Sequence, residues 1–239
     1  EEGKMRADFR ILTNFLYPPL CPACQVAIPE DDDSFVCSAC SSRLTPFPEP
    51  RCRWCGGEVD GVLDSCGECL QNPSRSWQHA VSVFPYGGYI RELIHRFKYR
   101  STTALAPYFA AEMSANWQSH GVRRADLAIP VPMHWGRRTV RGYNQAALLA
   151  DFIGRNLTMP VVYALKRKKH SRRQASLDYE ERKNNIRDIF SYSGKTKLDS
   201  CHILLIDDVL TTGATLDGAA RVLLEAGAGS VSVLTLARG

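Results

Sequence analysis

The chain has 239 residues, of which 44% are hydrophobic and 23% are charged, and its formal net charge is +5. This composition is typical of a folded soluble protein and excludes a disordered chain, and the length allows one domain or two. No apolar run approaches the ~20 residues that span a bilayer, so we predict no membrane span. Residues 1–20 lack the layout of a secretory signal, because Asp8 and Arg10 interrupt their apolar positions. We therefore expect a cytoplasmic protein.

The first predicted element is a helix over residues 5–16. Its apolar side chains recur at the spacing of one helix face, at Phe9, Leu12, Phe15 and Leu16. Such a face needs a partner, so we expect this helix to pack against the rest of the chain.

Cysteines dominate the segment that follows. Eight of the nine lie in the first 69 residues as four Cys-x-x-Cys pairs, namely Cys21 and Cys24, Cys37 and Cys40, Cys52 and Cys55, and Cys66 and Cys69. A Cys-x-x-Cys turn aims two thiolates at one tetrahedral ion, and a second turn completes the site. Four pairs therefore predict two structural Cys₄ zinc sites. Disulfides are the alternative, but without a secretory signal we expect the thiols to stay reduced.

The sequence leaves open which pairs share an ion. Sequential pairing gives two compact zinc ribbons in series, whereas interleaved pairing gives a cross-braced module. The loop between the first two pairs has 12 residues and the loop between the last two has 10, and such short loops favour sequential pairing. Together with the N-terminal helix, the ribbons form a predicted domain over residues 1–79, and a second domain covers residues 80–239.

From residue 80 onward, strands and helices alternate, which predicts an α/β domain with a parallel sheet covered on both faces. The predicted strands are 80–84, 125–131, 160–165, 189–192, 201–206 and 230–236. The predicted helices are 89–99, 103–118, a stretch that opens at 141–145 and runs to 156, and 216–226. In this interpretation the segment 125–131 is the first buried strand of the sheet. Lys98, near the end of a helix, is assigned only a favourable interaction with the helix dipole.

The strongest functional signal lies between residues 203 and 215. An apolar run predicts a buried strand, and Asp207 and Asp208 follow it directly. A loop of small residues, Thr211, Thr212, Gly213, Ala214 and Thr215, then opens a helix, and the N-terminus of a helix suits a phosphate. The paired carboxylates accept hydrogen bonds from hydroxyls, as on a ribose ring. The alternative is an ordinary Thr/Gly turn that caps a helix, which leaves the two acids unexplained.

Two basic clusters add candidate binding surfaces. Ligands bind parallel sheets beyond the carboxyl ends of the strands, so the loop that starts at Pro132 and Met133 should face the Thr-rich loop. The first cluster follows this loop and comprises Arg137, Arg138 and Arg141. The second holds six fixed positive charges in eight residues: Lys166, Arg167, Lys168, Lys169, Arg172 and Arg173. Such runs are either solvated loops or surfaces for pyrophosphate, nucleic acid or both.

The stretch 207–215 closely resembles the signature of type I phosphoribosyltransferases, Asp-Asp-x-x-Thr-Thr-Gly-x-Thr. The resemblance implies that the two acids hold the ribose hydroxyls of phosphoribosyl pyrophosphate and that the loop holds its 5-phosphate. The implied ligand contacts are Asp207, Asp208, Val209, Leu210, Thr211, Thr212, Gly213, Ala214, Thr215, Pro132, Met133 and Arg141. The implied fold is a type I phosphoribosyltransferase-like parallel sheet flanked by helices, here preceded by a Cys-rich double zinc-ribbon module.

The ordered set of motifs is similar to that of the ComF/GntX family. It comprises the two ribbons, Arg-Gly-Tyr-Asn-Gln at 141–145, the residues Gln174, Leu177, Arg182, Asn185 and Phe190, and the Asp-Asp signature. The resemblance implies binding of phosphoribosyl pyrophosphate with Mg²⁺ and the handling of incoming single-stranded DNA during natural transformation, with competence helicase or recombination proteins as candidate partners.

The resemblance leaves catalysis open. In an enzyme, Asp207 and Asp208 would orient the ribose and stabilise the positive charge that develops on it, and Arg137 and Arg138 would stabilise the leaving pyrophosphate. The acceptor cannot be read from the sequence. The alternative is a non-catalytic adaptor that senses the ligand in the same pocket and binds DNA or protein through its ribbons and basic loop.

Overall fold

A computed structural model describes most of the chain, namely residues 19–29, 34–59, 63–71, 75–99, 102–133, 136, 139, 141–168 and 189–239. The predicted N-terminal helix lies outside these residues. So do five candidate site residues: Arg137, Arg138, Lys169, Arg172 and Arg173.

The described part of the chain contains six strands and six α-helices. The strands are β1 (His79–Pro85), β2 (Leu127–Pro130), β3 (Leu165–Arg167), β4 (Phe190–Tyr192), β5 (His202–Leu210) and β6 (Ser230–Arg238). The helices are α1 (Ser38–Ser41), α2 (Gly67–Gln71), α3 (Gly88–Tyr99), α4 (Ala106–Ser119, preceded by a 3₁₀ turn, Thr103–Leu105), α5 (Gln145–Asn156) and α6 (Ala214–Glu225).

Four of the strands form the predicted parallel sheet, in the order β1-β6-β5-β2. The central strands β5 and β6 are apolar along most of their length because both of their faces are covered. Their register pairs Ile206 with Leu234, whereas β2 ends at Pro130, opposite Ile206. Strand β5 therefore runs past the end of its neighbour β2, which leaves one side of its last residues open.

The prediction that segment 125–131 supplies the first buried strand is wrong. Strand β1 comes earlier in the chain, pairs with β6 at the edge of the sheet, and buries five of its seven residues. Its alternation of apolar and small residues does not mark a solvent-facing side, because Ser82 is also fully buried. The Ser82 hydroxyl lies 2.7 Å from that of Thr235 on β6, so the polar position is satisfied inside the core.

The predicted strand 160–165 is also corrected. Only Val161 pairs with the sheet, through a single bridge to Ala128 of β2. Pro160 lacks an N–H group and cannot extend the ladder. The chain then leaves the sheet, and β3 pairs antiparallel with β4 in a separate two-stranded sheet.

Two hydrophobic cores cover the two faces of the main sheet. Helices α3, α4 and α5 pack on one face, where Phe97, Phe109 and Leu149 are fully buried. Helix α6 packs on the other face together with β3 and β4. The two Cys-rich segments divide in the same way, because buried residues of 21–44 join the first core and Cys52, Cys55 and Cys69 join the second. The ribbons thus share their packing with the sheet.

Candidate ligand site and zinc centres

The eight paired cysteines form two separate clusters. Cys21, Cys24, Cys37 and Cys40 make the first, and Cys52, Cys55, Cys66 and Cys69 make the second, with the sulfur atoms of each cluster within 4.8 Å of one another. The preference for sequential pairing is therefore confirmed. All nine cysteines are free thiols.

The spacing of the thiols fits zinc. A Zn–S bond of about 2.3 Å in a tetrahedral site separates neighbouring sulfur atoms by about 3.8 Å. The Sγ atoms of Cys24 and Cys37 lie 3.6 Å apart, and those of Cys55 and Cys66 lie 3.7 Å apart. Zinc would contribute folding energy to these segments by crosslinking two turns that lack a large core of their own.

Donors surround both clusters, as thiolate ligands require. In the first cluster, the Tyr89 hydroxyl donates to Cys40 Sγ at 3.1 Å, and the Cys37 N–H donates to Cys21 Sγ at 3.4 Å. Beside the second cluster, the guanidinium of Arg238 lies against Cys55 and pairs with Glu68. These groups offset the negative charge that four thiolates bring to a single zinc ion.

A pocket of about 380 Å³ opens at the carboxyl end of the main sheet, where β5 outruns β2. The end of β5, the loop after it and the residues that follow β2 all contribute to its lining. The lining comprises Tyr86, Lys98, Val131, Pro132, Met133, Arg141, Asn144, Gln145, Ala146, Arg167, Asp207, Asp208, Val209, Thr211 and Thr215. The expected meeting of the loop after β2 with the Thr-rich loop is therefore observed.

The pocket brings together many, but not all, of the candidate residues. Asp207, Asp208, Val209, Thr211, Thr215, Pro132, Met133 and Arg141 line it. The side chain of Leu210 is instead buried in the core that α6 covers, and Thr212, Gly213 and Ala214 do not line the pocket. Of the second basic cluster, Arg167 lines the pocket, whereas Lys166 and Lys168 are exposed.

The local structure of the acidic and Thr-rich stretch differs from the expectation at both ends. The two acids belong to β5, which continues to Leu210 because β6 pairs with it along this length. Helix α6 begins at Ala214, two residues earlier than predicted. Gly213 precedes it with φ 81°, a conformation that glycine adopts without strain, and its carbonyl accepts the Asp217 N–H at 2.8 Å. The turn between strand and helix is therefore tight and presents the helix N-terminus to the pocket.

The two carboxylates experience different surroundings. Burial is the largest cause that raises the pKa of Asp207 to about 7, and the neighbouring Asp208 carboxylate acts in the same direction, whereas the hydrogen bond from the Asp208 N–H and the nearby cations Lys98 and Arg167 lower it. The Asp208 N–H donates to Asp207 Oδ1 at 2.8 Å. Asp208 itself pairs with Lys98, whose Nζ lies 3.0 Å from Oδ1, and both side chains are largely buried. At neutral pH the pocket therefore holds one paired carboxylate and one that is partly protonated.

Several pocket residues were not predicted. Lys98 was assigned only to the helix dipole, yet α3 places it against Asp208. Tyr86 follows β1, which was not expected to reach the site. Gln145 is 1% exposed, and its Nε2 has no hydrogen-bond partner among the described residues. The motif at 141–145 was the only signal that pointed to Gln145.

Arg141 is held in place by its neighbours. Its Nη2 donates to the Tyr99 hydroxyl at 2.7 Å, and its Nη1 donates to Gln145 Oε1 at 3.3 Å. The guanidinium also lies over the Tyr99 ring, 4.4 Å from the centroid. A fixed cation at the edge of a concave polar pocket suits an anionic group of a ligand.

Comparison with known proteins agrees with this architecture. The sequence pattern of the double zinc ribbon domain matches residues 12–70, and that of the phosphoribosyl transferase domain matches residues 144–239. Competence protein F of Haemophilus influenzae is 34% identical to this chain, over 85% of this chain and 90% of that protein. The chain belongs to the ComF family.

Other members of the ComF family cover a similar span. The competence protein ComFC of Bacillus subtilis is 32% identical over 86% of this chain and 85% of that protein. The DNA utilization protein YhgH of Escherichia coli K12 is 32% identical over 85% of this chain and 90% of that protein. Among the helices that the structure describes, none combines the length and the apolar character that crossing a bilayer would require.

Proposed function

We propose that the pocket binds phosphoribosyl pyrophosphate together with Mg²⁺. The observation that carries this proposal is the convergence of two acids, the helix N-terminus at Ala214 and the cation of Arg141 around one pocket of about 380 Å³. In a ligand with a terminal phosphate, a ribose and a second anionic group, the phosphate suits the helix N-terminus, the ribose suits the two acids, and the second anion suits Arg141. The match to the phosphoribosyl transferase domain supports the same ligand class.

Each part of the ligand has a proposed binding partner. The 5-phosphate is held by the hydroxyls of Thr211 and Thr215 and by the backbone N–H groups at the start of α6. The ribose hydroxyls donate to the carboxylates of Asp207 and Asp208. The pyrophosphate lies between Arg141 and the backbone of Pro132 and Met133.

The chemistry of the donors fits a hard divalent cation. Mg²⁺ prefers oxygen ligands and keeps several waters, so the carboxylates of Asp207 and Asp208 would hold it together with oxygens of the ligand. The ion would supply positive charge that offsets the negative charge of the ligand. Its binding favours an ionised Asp207, and the raised pKa of this group makes that ionisation measurable near neutral pH.

The proposal includes catalysis of phosphoribosyl transfer to an acceptor that remains to be identified. Arg141 would stabilise negative charge on the departing pyrophosphate, and Arg137 and Arg138 stay predicted catalytic residues on sequence grounds. The acids would stabilise the positive charge that develops on the ribose. A ligand-sensing adaptor would use the same pocket without turnover.

We also propose a role in handling single-stranded DNA in the cytoplasm. The names of the family members, which refer to competence and to DNA utilization, support this role. The segment 166–168, which covers the end of β3 and the residue after it, supports this role as well, because Lys166 and Lys168 are exposed, as a surface that contacts phosphates needs to be. Competence helicase or recombination proteins remain candidate partners.

Titration with the ligand and its fragments tests the proposal. Phosphoribosyl pyrophosphate with Mg²⁺ should bind most tightly, and ribose 5-phosphate and pyrophosphate should each bind more weakly and displace it. Thr215→Val should weaken the binding of ribose 5-phosphate more than the binding of pyrophosphate, since the Thr215 hydroxyl is assigned to the proposed 5-phosphate subsite. If neither the whole ligand nor either fragment binds, the proposed function is wrong.

A further inference from the structure

The segment 75–77 connects the second zinc ribbon to the loop that opens α6. Arg75 Nη1 donates to the Thr212 carbonyl at 2.8 Å, and the Ser76 N–H donates to Asp217 Oδ1 at 2.8 Å. Asp217 lies in the first turn of α6 and also pairs with Arg221, whose Nη2 is 2.6 Å from Oδ2. Both bonds therefore end on the turn that presents the helix N-terminus to the pocket.

The same segment approaches Gly213 too closely for any larger residue. A Cβ placed on Gly213 would lie 2.5 Å from Arg75 Nη1 and 3.0 Å from Trp77 Cη2. The loop is thus clamped on the side away from the pocket. Thr211 and Thr215 of the same loop line the pocket.

The other end of the segment 75–77 contacts the second cysteine cluster. The Trp77 indole is 3% exposed, and its Nε1 donates to the Trp54 carbonyl at 2.9 Å. Trp54 sits inside the knuckle formed by Cys52 and Cys55. Nearby, the Ala80 N–H donates to the Arg53 carbonyl at 2.8 Å, and Arg53 Nε donates to the Gln78 carbonyl at 3.2 Å. The conformation of the knuckle therefore fixes where Trp77 lies.

The first zinc ribbon makes its contacts elsewhere. It packs on the opposite face of the sheet, where Tyr89 of α3 donates to Cys40 Sγ and the Arg43 guanidinium lies 3.6 Å from the centroid of the Tyr89 ring. Arg96 Nη1 donates to the Ala23 carbonyl at 2.5 Å. These contacts end on α3. The first ribbon therefore contacts α3, whereas the second is connected to the loop that opens α6.

We propose that zinc binding at the second cluster holds the loop 211–215 in its ligand-binding conformation through Arg75 and Trp77. These two are positioning residues: they touch the loop from behind and do not line the pocket. The effect on the ligand rests on the proposed function, but the effect on the loop does not. Loss of zinc from the second cluster thus becomes a route by which metal availability weakens phosphate binding.

Hydrogen exchange of the unliganded, zinc-loaded protein tests the clamp directly. Arg75→Ala should increase the exchange of amides in residues 211–217 by about tenfold, because it removes a charge-assisted hydrogen bond and unseats the loop. The matched control is Arg43→Ala, which removes a stacked arginine from the first ribbon and should leave this exchange unchanged. Arg75→Lys keeps a donor and should restore part of the protection. Unchanged exchange in Arg75→Ala would overturn the proposal.

A second variant tests the part played by the metal. Cys66→Ser removes one thiolate of the second cluster, so it should lose one zinc ion and increase the exchange of 211–217 as Arg75→Ala does. Because both changes act through one connection, the double variant should show little more than the larger single effect. Additive effects would mean that the metal and Arg75 act independently, which would refute the link between them.

Titration of the same variants with phosphoribosyl pyrophosphate and Mg²⁺ connects the clamp to binding. Arg75→Ala should lower the affinity by about tenfold and Arg43→Ala should not change it. If the wild type fails to bind while the exchange results hold, the proposed function is wrong and the clamp stands. If the wild type binds and Arg75→Ala binds equally well, the inference fails and the proposed function stands.

Discussion

The ammonium nitrogen of Lys98 lies 3.0 Å from Oδ1 of Asp208, and this ion pair joins the last turn of α3 to the end of β5. Both side chains are largely withdrawn from water, so each depends on the other for compensation of its charge. Lys98 also favours the ionised form of Asp207. The acidic site is therefore completed by a residue of α3, a helix that lies more than 100 residues earlier in the chain.

Replacing Lys98 by Met should raise the pKa of Asp207 above its value of about 7, because a nearby positive charge is removed while the Asp208 carboxylate remains. Affinity for phosphoribosyl pyrophosphate with Mg²⁺ should fall by about tenfold at neutral pH, as expected when a buried charge loses its partner. Carboxyl-carbon NMR reports the pKa, and calorimetry reports the affinity. Arg91→Met, which removes an exposed cation from the same helix, serves as the control and should change neither quantity.

The raised pKa of Asp207 should make the free energy of unfolding depend on pH. Because the folded state holds this proton up to about pH 7 and the unfolded state releases it near 3.8, the protein loses stability as pH rises through this window. Between about pH 6 and pH 8 the loss should be about 1.4 kcal/mol. Urea unfolding of the wild type and of Asp207→Asn measures it, and the variant should show a flatter profile. Parallel profiles would contradict the assignment.

Ligand binding should release a proton from the same group. A magnesium ion beside Asp207 favours the carboxylate, so affinity for phosphoribosyl pyrophosphate with Mg²⁺ should rise as pH increases through about 7. Calorimetry in two buffers of different ionisation enthalpy counts the released protons. The ligand's own phosphates also titrate, and Asp207→Asn separates their contribution from that of the protein.

Each chain should carry two zinc ions, because eight thiolates form two clusters with tetrahedral spacing. Native mass spectrometry under reducing conditions counts them. Removal by a chelator should lower the melting temperature, since both clusters pack into the cores of the sheet. A single ion per chain would contradict the two-ribbon assignment.

Substitutions in the segment 166–168, at the end of β3, should distinguish binding of single-stranded DNA from binding of phosphoribosyl pyrophosphate. Lys166 and Lys168 are exposed, whereas Arg167 lines the pocket. The double variant Lys166→Ser with Lys168→Ser should therefore weaken the binding of single-stranded DNA and leave the affinity for phosphoribosyl pyrophosphate unchanged. If each lysine neutralises one phosphate, the slope of log K against log salt should flatten by about 1.4. Arg167→Ser should show the opposite pattern. An unchanged salt slope in the double lysine variant would show that Lys166 and Lys168 do not belong to the DNA interface.

The parts of the molecule that sequence reasoning predicted are those encoded locally. Two Cys-x-x-Cys turns separated by a short loop specify a metal site with little help from the rest of the fold. The segment from 201 to 226 likewise carries local signals for a strand, a turn and a helix, although β5 ends later and α6 begins earlier than predicted. The alternation of strands and helices was enough to predict a covered parallel sheet.

The parts that it missed depend on tertiary placement. Lys98 joins the site because the last turn of α3 lies close enough to the end of β5 for its ammonium group to pair with Asp208. The acids were expected after the strand, since the apolar run ends at Ile206, yet pairing with β6 extends β5 to Leu210. Similarly, residues 75–77 lie against Gly213, and nothing in their sequence predicts this contact. Contacts between distant segments leave no local pattern in a single sequence.

The most direct test of the proposed binding site is calorimetric titration of phosphoribosyl pyrophosphate with Mg²⁺ into the wild type and into the variant Asp207→Asn with Asp208→Asn. The substitutions keep the shape of both side chains and remove their charge. Affinity should fall at least about tenfold, because each charge-assisted hydrogen bond contributes about 1.5–3 kcal/mol. Circular dichroism and a count of two zinc ions should confirm that the variant is folded. Equal affinity in the two proteins would contradict the site.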